Sequence, residues 1–499
     1  MRHATPRQRL RYSLPALISA LLVTAGLSTA KLGCAQAIDD PRAVWLHDTL
    51  VEDNRDLLER DPEAVAEKFA KMQSSLYAYF RGTANQYWRD LTTPDLGIAG
   101  SSFATPETAR ISLIGDPHYE NVGVFHSADD QILVDFNDFD ASMYGPYWID
   151  LRRLAVGMEI LCRQLGDELI SAEQRRAVVD AATQGYVEEM ARLVDGQPAF
   201  SVSDGEGGAI LADLTRRAVR DGEIAEELDD YTEIVDGRRL MRIGDIEPPG
   251  SGFVTDTVDP VAPSDQMRIL TMVAAYAQTV SGNARENAFF TVKGVVRRRG
   301  AGVSSYPNLR YYVLIEGETS GVEDDRLLEL KEVRDPPLVT ADWNVPARRW
   351  TNNAERVVFM QRQLQETSAN DPLLGWALSG SVSFRIRERT KYQKGLDVVR
   401  LAEKLEEGDW DSEDLIEVSF NLGRFLARAH GTTPDSDGRL GAPLIGASLG
   451  DLTDPVNHPL VLETSEFAVE YADRIEADFA LFARLREDWG ATLGFGELR

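Results

Sequence analysis

Ile111 to Arg153, ISLIGDPHYENVGVFHSADDQILVDFNDFDASMYGPYWIDLRR, is the stretch on which the reading of the whole chain turns. The apolar run Ile111 to Ile114 predicts a short strand that stops at Gly115 and delivers Asp116, Pro117, His118, Tyr119, Glu120 and Asn121 onto a loop. Two further strands are expected, Val122 to Phe125 and Ile132 to Phe136, joined by the turn Ser127-Ala128-Asp129-Asp130. That hairpin would carry Asp135, Asp138 and Asp140 back towards Asp116 and Asn121. A loop carboxylate, a carboxamide five residues later and a carboxylate after a following strand make the set that phosphoryl transfer uses. One acid accepts a hydroxyl proton, while Asn and another Asp hold hard divalent cations through oxygen. The competing reading is an acidic turn, since Asp and Asn in loops commonly cap or turn the backbone. Against it, the acids of Val134-Asp135-Phe136-Asn137-Asp138-Phe139-Asp140 alternate with apolar residues, and carboxylates gathered at one partly buried site repel one another unless a cation lies between them.

On the N-terminal side, Pro41 to Leu91 reads as helical, with a break at Asp61-Pro62 where Asp caps and Pro takes the first helical position. Arg81, between Phe80 and Gly82, is the polar residue of this aromatic-rich segment that is expected to reach a ligand. On the C-terminal side, Trp148 to Leu165 reads as an amphipathic helix carrying Asp150, and Ala172 to Leu193 as another. A mixed insert, 196–262, carries turn signals and no evident chemistry, and Asp265 to Thr279 is again helical.

From Asn287 the texture changes to three strand-like runs, AFFTVKGVVRRRG, LRYYVLIEG and RLLELKEV. The glycine-rich turn between the first two, with Gly300, Gly302 and Ser304, can lay amides on a phosphate, and Lys331 on the third strand can reach the same group. A helix over Asn352 to Gln365 offers Glu355 as a partner for Lys331, and strands are expected through Ser381 to Arg389. The last quarter reads as helices over Leu396 to Glu406, Ser412 to His430 and Thr464 to Trp489, with His430 structural.

At 499 residues with 43% hydrophobic content, the chain is long enough for two lobes. A formal charge of −28 argues against a nucleic-acid partner. The first 37 residues combine Arg2, Arg7, Arg9 and Arg11, an apolar run from Leu14 to Ala30 and Ala35-Gln36-Ala37, which together predict a secretory signal peptide cut after Ala37. Cys34 raises a lipoprotein signal, against which stands Lys31 where such signals place an aliphatic residue. The expectation is an exported protein with no membrane span after cleavage, in which Cys162 is the remaining cysteine and belongs to the core.

Gly115-Asp116-x-His118-x-x-Asn121 resembles the catalytic loop of aminoglycoside phosphotransferases and related kinase-like enzymes. Asp138, the helix opening with Asp150-Leu151, the glycine turn with Lys331, and NLGRFLARAH extend the resemblance, but the small lobe and the last helix follow the loop instead of preceding it. KMQSSLYAYFRGTA, GDPHYENVG, DFNDFDASMYGPYWIDLRRLA, LLELKEV and ERVVFMQRQLQ resemble the bacterial family called domain of unknown function 2252. These resemblances imply an α+β, two-lobed, protein-kinase-like fold, circularly permuted, with additional N- and C-terminal helices. The expected parts are an N-terminal helical segment (38–110), a catalytic-loop lobe (111–286), a small β-rich lobe (287–395) and a helical segment completing the large lobe (396–499).

The resemblance places Asp116, His118 and Asn121 in the catalytic loop, with Asp116 as base. It gives magnesium to Asn121 and Asp138, with Asp135 or Asp140 as the alternative ligand because the interval from Asn121 to Asp138 is long, ATP phosphates to Lys331 beneath Gly300, Gly302 and Ser304, and a supporting role to Glu355. Asp150 would be structural. Ile114 stands where related phosphotransferases place a His, and Phe359 where an acid would follow Glu355 by one turn. Three functions remain open: a magnesium- and nucleotide-dependent phosphotransferase with an unknown small-molecule or protein acceptor, a metal-dependent phosphoesterase that begins G-D-x-H, and a non-catalytic binding module. The phosphoesterase would need further ligands from His47, His126, His430 or His458.

Overall fold

Five helices open the chain: α1 (Pro41–Asp53), α2 (Arg55–Arg60), α3 (Pro62–Gln73), α4 (Leu76–Gly82) and α5 (Ala84–Leu91). The cap expected at Asp61 is present: its carboxylate accepts from the Ala64 amide, with Pro62 at the first helical position. Breaks at Asn54, Ser75 and Thr83 were not anticipated; Ser75 announces its own by accepting from Ala78 N. The computed structural model describes residues 40–92, 100–126, 131–222, 224–246, 256–280, 290–300, 302–336, 350–366, 371–390 and 392–496. The expected signal segment, the hairpin turn at 127–130, the start of the strand texture at Asn287 and Ala301 lie outside the described residues.

The central stretch folds as β1 (Ile111–Leu113), β2 (Val122–His126), β3 (Ile132–Phe136) and β4 (Met143–Gly145), followed by α6 (Tyr147–Leu165) and α7 (Ala172–Val194). β2 and β3 form the expected antiparallel hairpin, with Val122 opposite Phe136. β1 pairs instead with β4, a strand too short for the sequence to signal, with Ile111 opposite Gly145. The expectation of an amphipathic helix at 148–165 is corrected: α6 is buried on every face from Tyr147 to Cys162, because α4, α7, α13, α15 and β1 surround it.

The insert holds α8 (Gly208–Arg220), α9 (Ile224–Tyr231), β5 (Thr232–Val235), β6 (Arg238–Met241), β7 (Gly244–Ile246) and β8 (Asp256–Pro260), and α10 (Pro263–Tyr276) follows. Then come β9 (Val292–Arg299), β10 (Arg310–Ile315), β11 (Arg326–Val333), α11 (Asn353–Leu364), β12 (Gly375–Ser379) and β13 (Val382–Glu388). These build a seven-stranded sheet in the order β12-β13-β11-β10-β9-β8-β7, so the insert is partly structural: it supplies the two strands at one end, of which β7 is the edge. All pairings in this sheet are antiparallel.

Period-two alternation gives the sheet two different faces. Tyr311, Val313, Leu328, Leu330, Phe384 and Ile386 pack with Ile269, Val273 and Tyr276 of α10 in one apolar cluster. Opposite them, β11 and β13 present Glu329 and Lys331 across from Arg387 and Arg385.

The chain closes with α12 (Val398–Glu406), α13 (Ser412–Thr432), α14 (Gly441–Leu449) and α15 (Pro459–Trp489). α13 and α7 pack most extensively, and they do so through glycines. A Cβ on Gly423 would lie 1.8 Å from the Ala182 carbonyl oxygen, and one on Gly185 would lie 2.0 Å from that of Phe420. A large apolar core joins the N-terminal helices, α6, α7, α13 and α15. Ile38–Arg499 form one compact unit, and among the described residues no helix is long and apolar enough to cross a membrane.

Candidate active site

The loop after β1 is fixed before any of its side chains can act. Gly115 takes φ +89°, and a Cβ there would lie 2.1 Å from the Ala141 carbonyl oxygen, so no other residue fits. The buried Asp150 carboxylate, in the first turn of α6, accepts from Ile114 N at 2.7 Å and Gly115 N at 3.0 Å, while Trp88 Nε1 donates to the Gly115 carbonyl at 2.9 Å. His430 Nε2 meets the same carboxylate at 3.2 Å, and its Nδ1 meets Tyr186 Oη at 2.9 Å. Because a carboxylate only accepts, Nε2 carries a proton and donates it to Asp150. His430 is thus structural, as expected, and stands in the last turn of α13.

The Asp116 carboxylate keeps 19% of its exposure and accepts from Arg153 Nε at 2.8 Å. Arg153 is itself fully buried, stacked 3.6 Å over the Phe80 ring and donating to the Phe80 carbonyl at 2.8 Å. Burial raises the Asp116 carboxyl above the ordinary range, and Arg153 draws it partly back. Beside it, burial pushes His118 well below the usual imidazole value, so the ring is neutral; its Nδ1 has no hydrogen-bond partner among the described residues. Arg81 pairs with Glu120 of the same loop.

Asn121 clamps two loops together. Its Nδ2 donates to the Asp116 and Asp138 carbonyls, both at 3.1 Å, and its Oδ1 accepts from Asp138 N at 2.7 Å and Asn137 N at 3.3 Å. The carboxamide oxygen therefore faces backbone amides in this structure.

The acid cluster divides. Asp135 is buried against Arg428 of α13 and accepts from the Phe136 and Glu366 amides, which corrects its expected place among the metal ligands. Asp138 and Asp140 both meet Lys331 Nζ, at 3.0 and 2.7 Å, so the cation that their repulsion requires is supplied by the chain. Asp138 is lowered: burial works against this, but Lys331 and Arg385 outweigh it. Asp140 is raised by burial and by Asp138, and its Oδ1 has no hydrogen-bond partner among the described residues. Oxygen donors from Asp138 and Asp140, one of them orphaned, fit a hard divalent cation chemically. Among the described residues no three His, Cys, Asp or Glu side chains gather closely enough to hold a metal alone.

The expected pairing of Lys331 with Glu355 is also corrected. The Glu355 carboxylate accepts from Thr351 N at 2.7 Å and caps the start of α11. The side chain of α11 that reaches the polar face of the sheet is Gln361, 3.5 Å from Arg385 Nη1.

Gly300 and Gly302 adopt φ of +76° and +78°, and their carbonyls receive Lys71 Nζ from α3 at 3.2 and 3.5 Å. Tyr306 Oη donates to Glu67 at 2.6 Å, so the glycine turn is docked on the N-terminal helices. Two cavities meet at Asp138, Gly302 and Ser305. One, of about 170 Å³, contains Asp116, His118, Asn121, Asp140 and Ser304 together with Lys68, whose ammonium burial pushes down to about 8. The other, of about 260 Å³, runs along the polar face of the sheet past Lys331, Glu329, Arg385 and Arg387.

The sequence reading missed Arg153, Arg385 and Arg387. Arg153 stands one turn after Asp150, and Phe384-Arg385-Ile386-Arg387 alternates as Leu328-Glu329-Leu330-Lys331 does, which was the available signal. Of the other histidines, His47 stands beside Asp48 and His458 caps α15.

No curated protein and no solved structure matches the chain. The family model described as uncharacterized protein conserved in bacteria (DUF2252) matches residues 60–485, and the chain belongs to that family.

Proposed function

We propose that the chain is a phosphotransferase on a circularly permuted kinase-like scaffold, taking a phosphoryl group from a magnesium-bound nucleotide to an acceptor hydroxyl. The observation that carries this reading is the position of Asp116. It sits on a backbone pinned by Asp150, has a raised carboxyl, and lies in the cavity that adjoins the Lys331 cleft at Asp138. Asp116 takes the hydroxyl proton, the acceptor oxygen bonds to the terminal phosphorus, and the bridging oxygen leaves with its electron pair. Lys331 contacts the donor phosphates, and Arg153 holds the Asp116 carboxylate in place. Bound magnesium would offset phosphate charge, and Asp138 and Asp140 are the residues that would hold it, with Asn121 available if it releases the Asn137 amide. The basic and apolar run at 2–30 leads us to propose export as well.

The test is transfer or slow hydrolysis of labelled ATP by the full chain. Asp116→Asn is expected to lower the rate by about a hundredfold or more. Magnesium-ATP at a hundred times its Kd is expected to stabilise the protein by about 2.7 kcal/mol, an effect lost in Asp138→Ala. An Asp116→Asn rate equal to that of the parent refutes the reading. A non-catalytic binding module is favoured by one observation, the full matching of Lys331 by two carboxylates. It predicts ATP binding without turnover.

A further inference from the structure

The sheet cleft is lined by seven basic side chains, Arg298, Arg310, Lys331, Arg385, Arg387, Arg389 and Lys394, and by the carboxylates of Glu329 and Asp138; Lys331 also meets Asp140, and Lys394 meets Asp221. This is a concentrated positive site in a chain of formal charge −28. Glu329 alone faces Arg310 at 2.9 Å, Arg385 at 3.2 Å and Arg387 at 3.6 Å. One carboxylate cannot neutralise three guanidiniums held out of water. Burial and neighbouring Arg385 push the Arg387 guanidinium down to about 10, and neither Arg385 Nε nor Arg387 Nε has a hydrogen-bond partner among the described residues. Arg385 is 2% exposed, so water does not satisfy it freely.

The register sets the direction of the charge. Arg387 lies opposite Glu329 and Arg385 opposite Lys331, so the row of cations runs along the β11–β13 pair and ends where Lys331 meets Asp138 and Asp140. Among the described residues, the apolar members of the lining are Val124 and Phe125, both buried, so none offers an exposed apolar slab against which a nucleobase would stack.

Building on the phosphotransferase reading, we infer that this cleft recognises an oligophosphate chain through Arg385, Arg387, Arg310 and Lys331, so that inorganic tripolyphosphate serves as a ligand as well as a nucleoside triphosphate does. Forked guanidiniums on one strand suit successive phosphate groups, whose oxygens accept two bonds at a time. The nucleoside contributes little to affinity.

The experiment is calorimetric titration of the full chain with sodium tripolyphosphate, ATP and AMP, each with magnesium. Tripolyphosphate is expected to bind within about threefold of ATP, with AMP weaker by about thirtyfold or more. Arg387→Gln should weaken tripolyphosphate and ATP alike, by about tenfold. Should that variant fold poorly, the parent protein supplies the second reading: raising salt from about 50 to 200 mM should weaken tripolyphosphate and ATP in parallel. ATP binding more than about thirtyfold tighter than tripolyphosphate, with adenosine competing, overturns this inference and leaves the phosphotransferase standing. Binding of neither ligand overturns both.

Discussion

Asp150→Asn and Asp150→Ala measure how firmly the β1 loop is held. Asp150 Oδ2 receives Ile114 N, His430 Nε2 and, at 3.3 Å, Gly115 N, which Oδ1 receives more closely at 3.0 Å. An asparagine keeps the first two contacts only by placing its oxygen at the Oδ2 position, which turns an NH2 group towards the Gly115 amide. The Gly115 N–H then keeps only its longer 3.3 Å contact with that oxygen and faces an NH2 group, at a cost of about 1–3 kcal/mol, and loss of the negative charge weakens the remaining bonds by about 1 kcal/mol together. The expected cost is about 2–4 kcal/mol. Alanine loses all three bonds and strands two amides, for about 4–6 kcal/mol, a large fraction of the stability of an ordinary domain. Urea unfolding followed by tryptophan fluorescence reads both, and Trp88, bonded to the Gly115 carbonyl, reports on the site itself. A double-mutant cycle with His430→Phe should show Asp150 and His430 coupled by about 1 kcal/mol or more. An asparagine variant within about 0.5 kcal/mol of the parent, or an alanine variant no worse than asparagine, would refute the bracing argument.

Two further outcomes separate the roles of the other acids. Asp135→Asn breaks a buried pair with Arg428 and should cost about 3–5 kcal/mol in unfolding experiments, yet leave the stabilisation by magnesium-ATP unchanged; loss of that stabilisation would return Asp135 to the ligand-binding site. For Asp116 the sign of the pH effect follows from its raised carboxyl. A folded pKa above the unfolded one stabilises the fold at acid pH and is lost as pH rises through it, while the basic form needed for proton abstraction appears over the same interval. The acid limb of kcat/KM should therefore lie above the usual aspartate range. Arg153→Met, which removes the group drawing that carboxyl down, should move the limb to higher pH, and a limb unmoved in that variant would sever Asp116 from the rate.

The elements around the site were legible where local chemistry alone sets them. Gly115 ends β1, Pro62 opens α3 behind its Asp61 cap, and the strand-like runs at β10, β11 and β13 pair in one sheet. What escaped were pairings that depend on distant partners. β4 is three residues long and pairs with β1 across the intervening hairpin, and β7 and β8 join a sheet whose other strands start more than thirty residues later. Among site residues, Asp116 and Asn121 could be read from the loop itself. The assignment of Asp135 failed because alternation places it on a face without saying that Arg428, some three hundred residues on, would occupy that face. Glu355 failed for a local reason: at the third position of α11, its carboxylate finds unpaired groups at the helix start before it can reach a strand.

The acids at and just after the end of β3 required a cation, and the chain supplies Lys331 for Asp138 and Asp140 and Arg428 for Asp135. This changes what Lys331, already holding two carboxylates, can do for a ligand. A phosphate that engages Lys331 must compete with Asp138 and Asp140, so it enters without penalty only if those carboxylates gain another positive partner at the same time. Donor and divalent cation are therefore thermodynamically linked through one ammonium group: each should bind more tightly in the presence of the other, reciprocally and by the same factor. The arginine row beyond Lys331 carries no such restriction, because its single carboxylate already leaves it with excess charge. On these grounds a phosphate chain would first be held along Arg385 and Arg387, and its terminal group would reach Lys331 only when the acid pair is otherwise compensated.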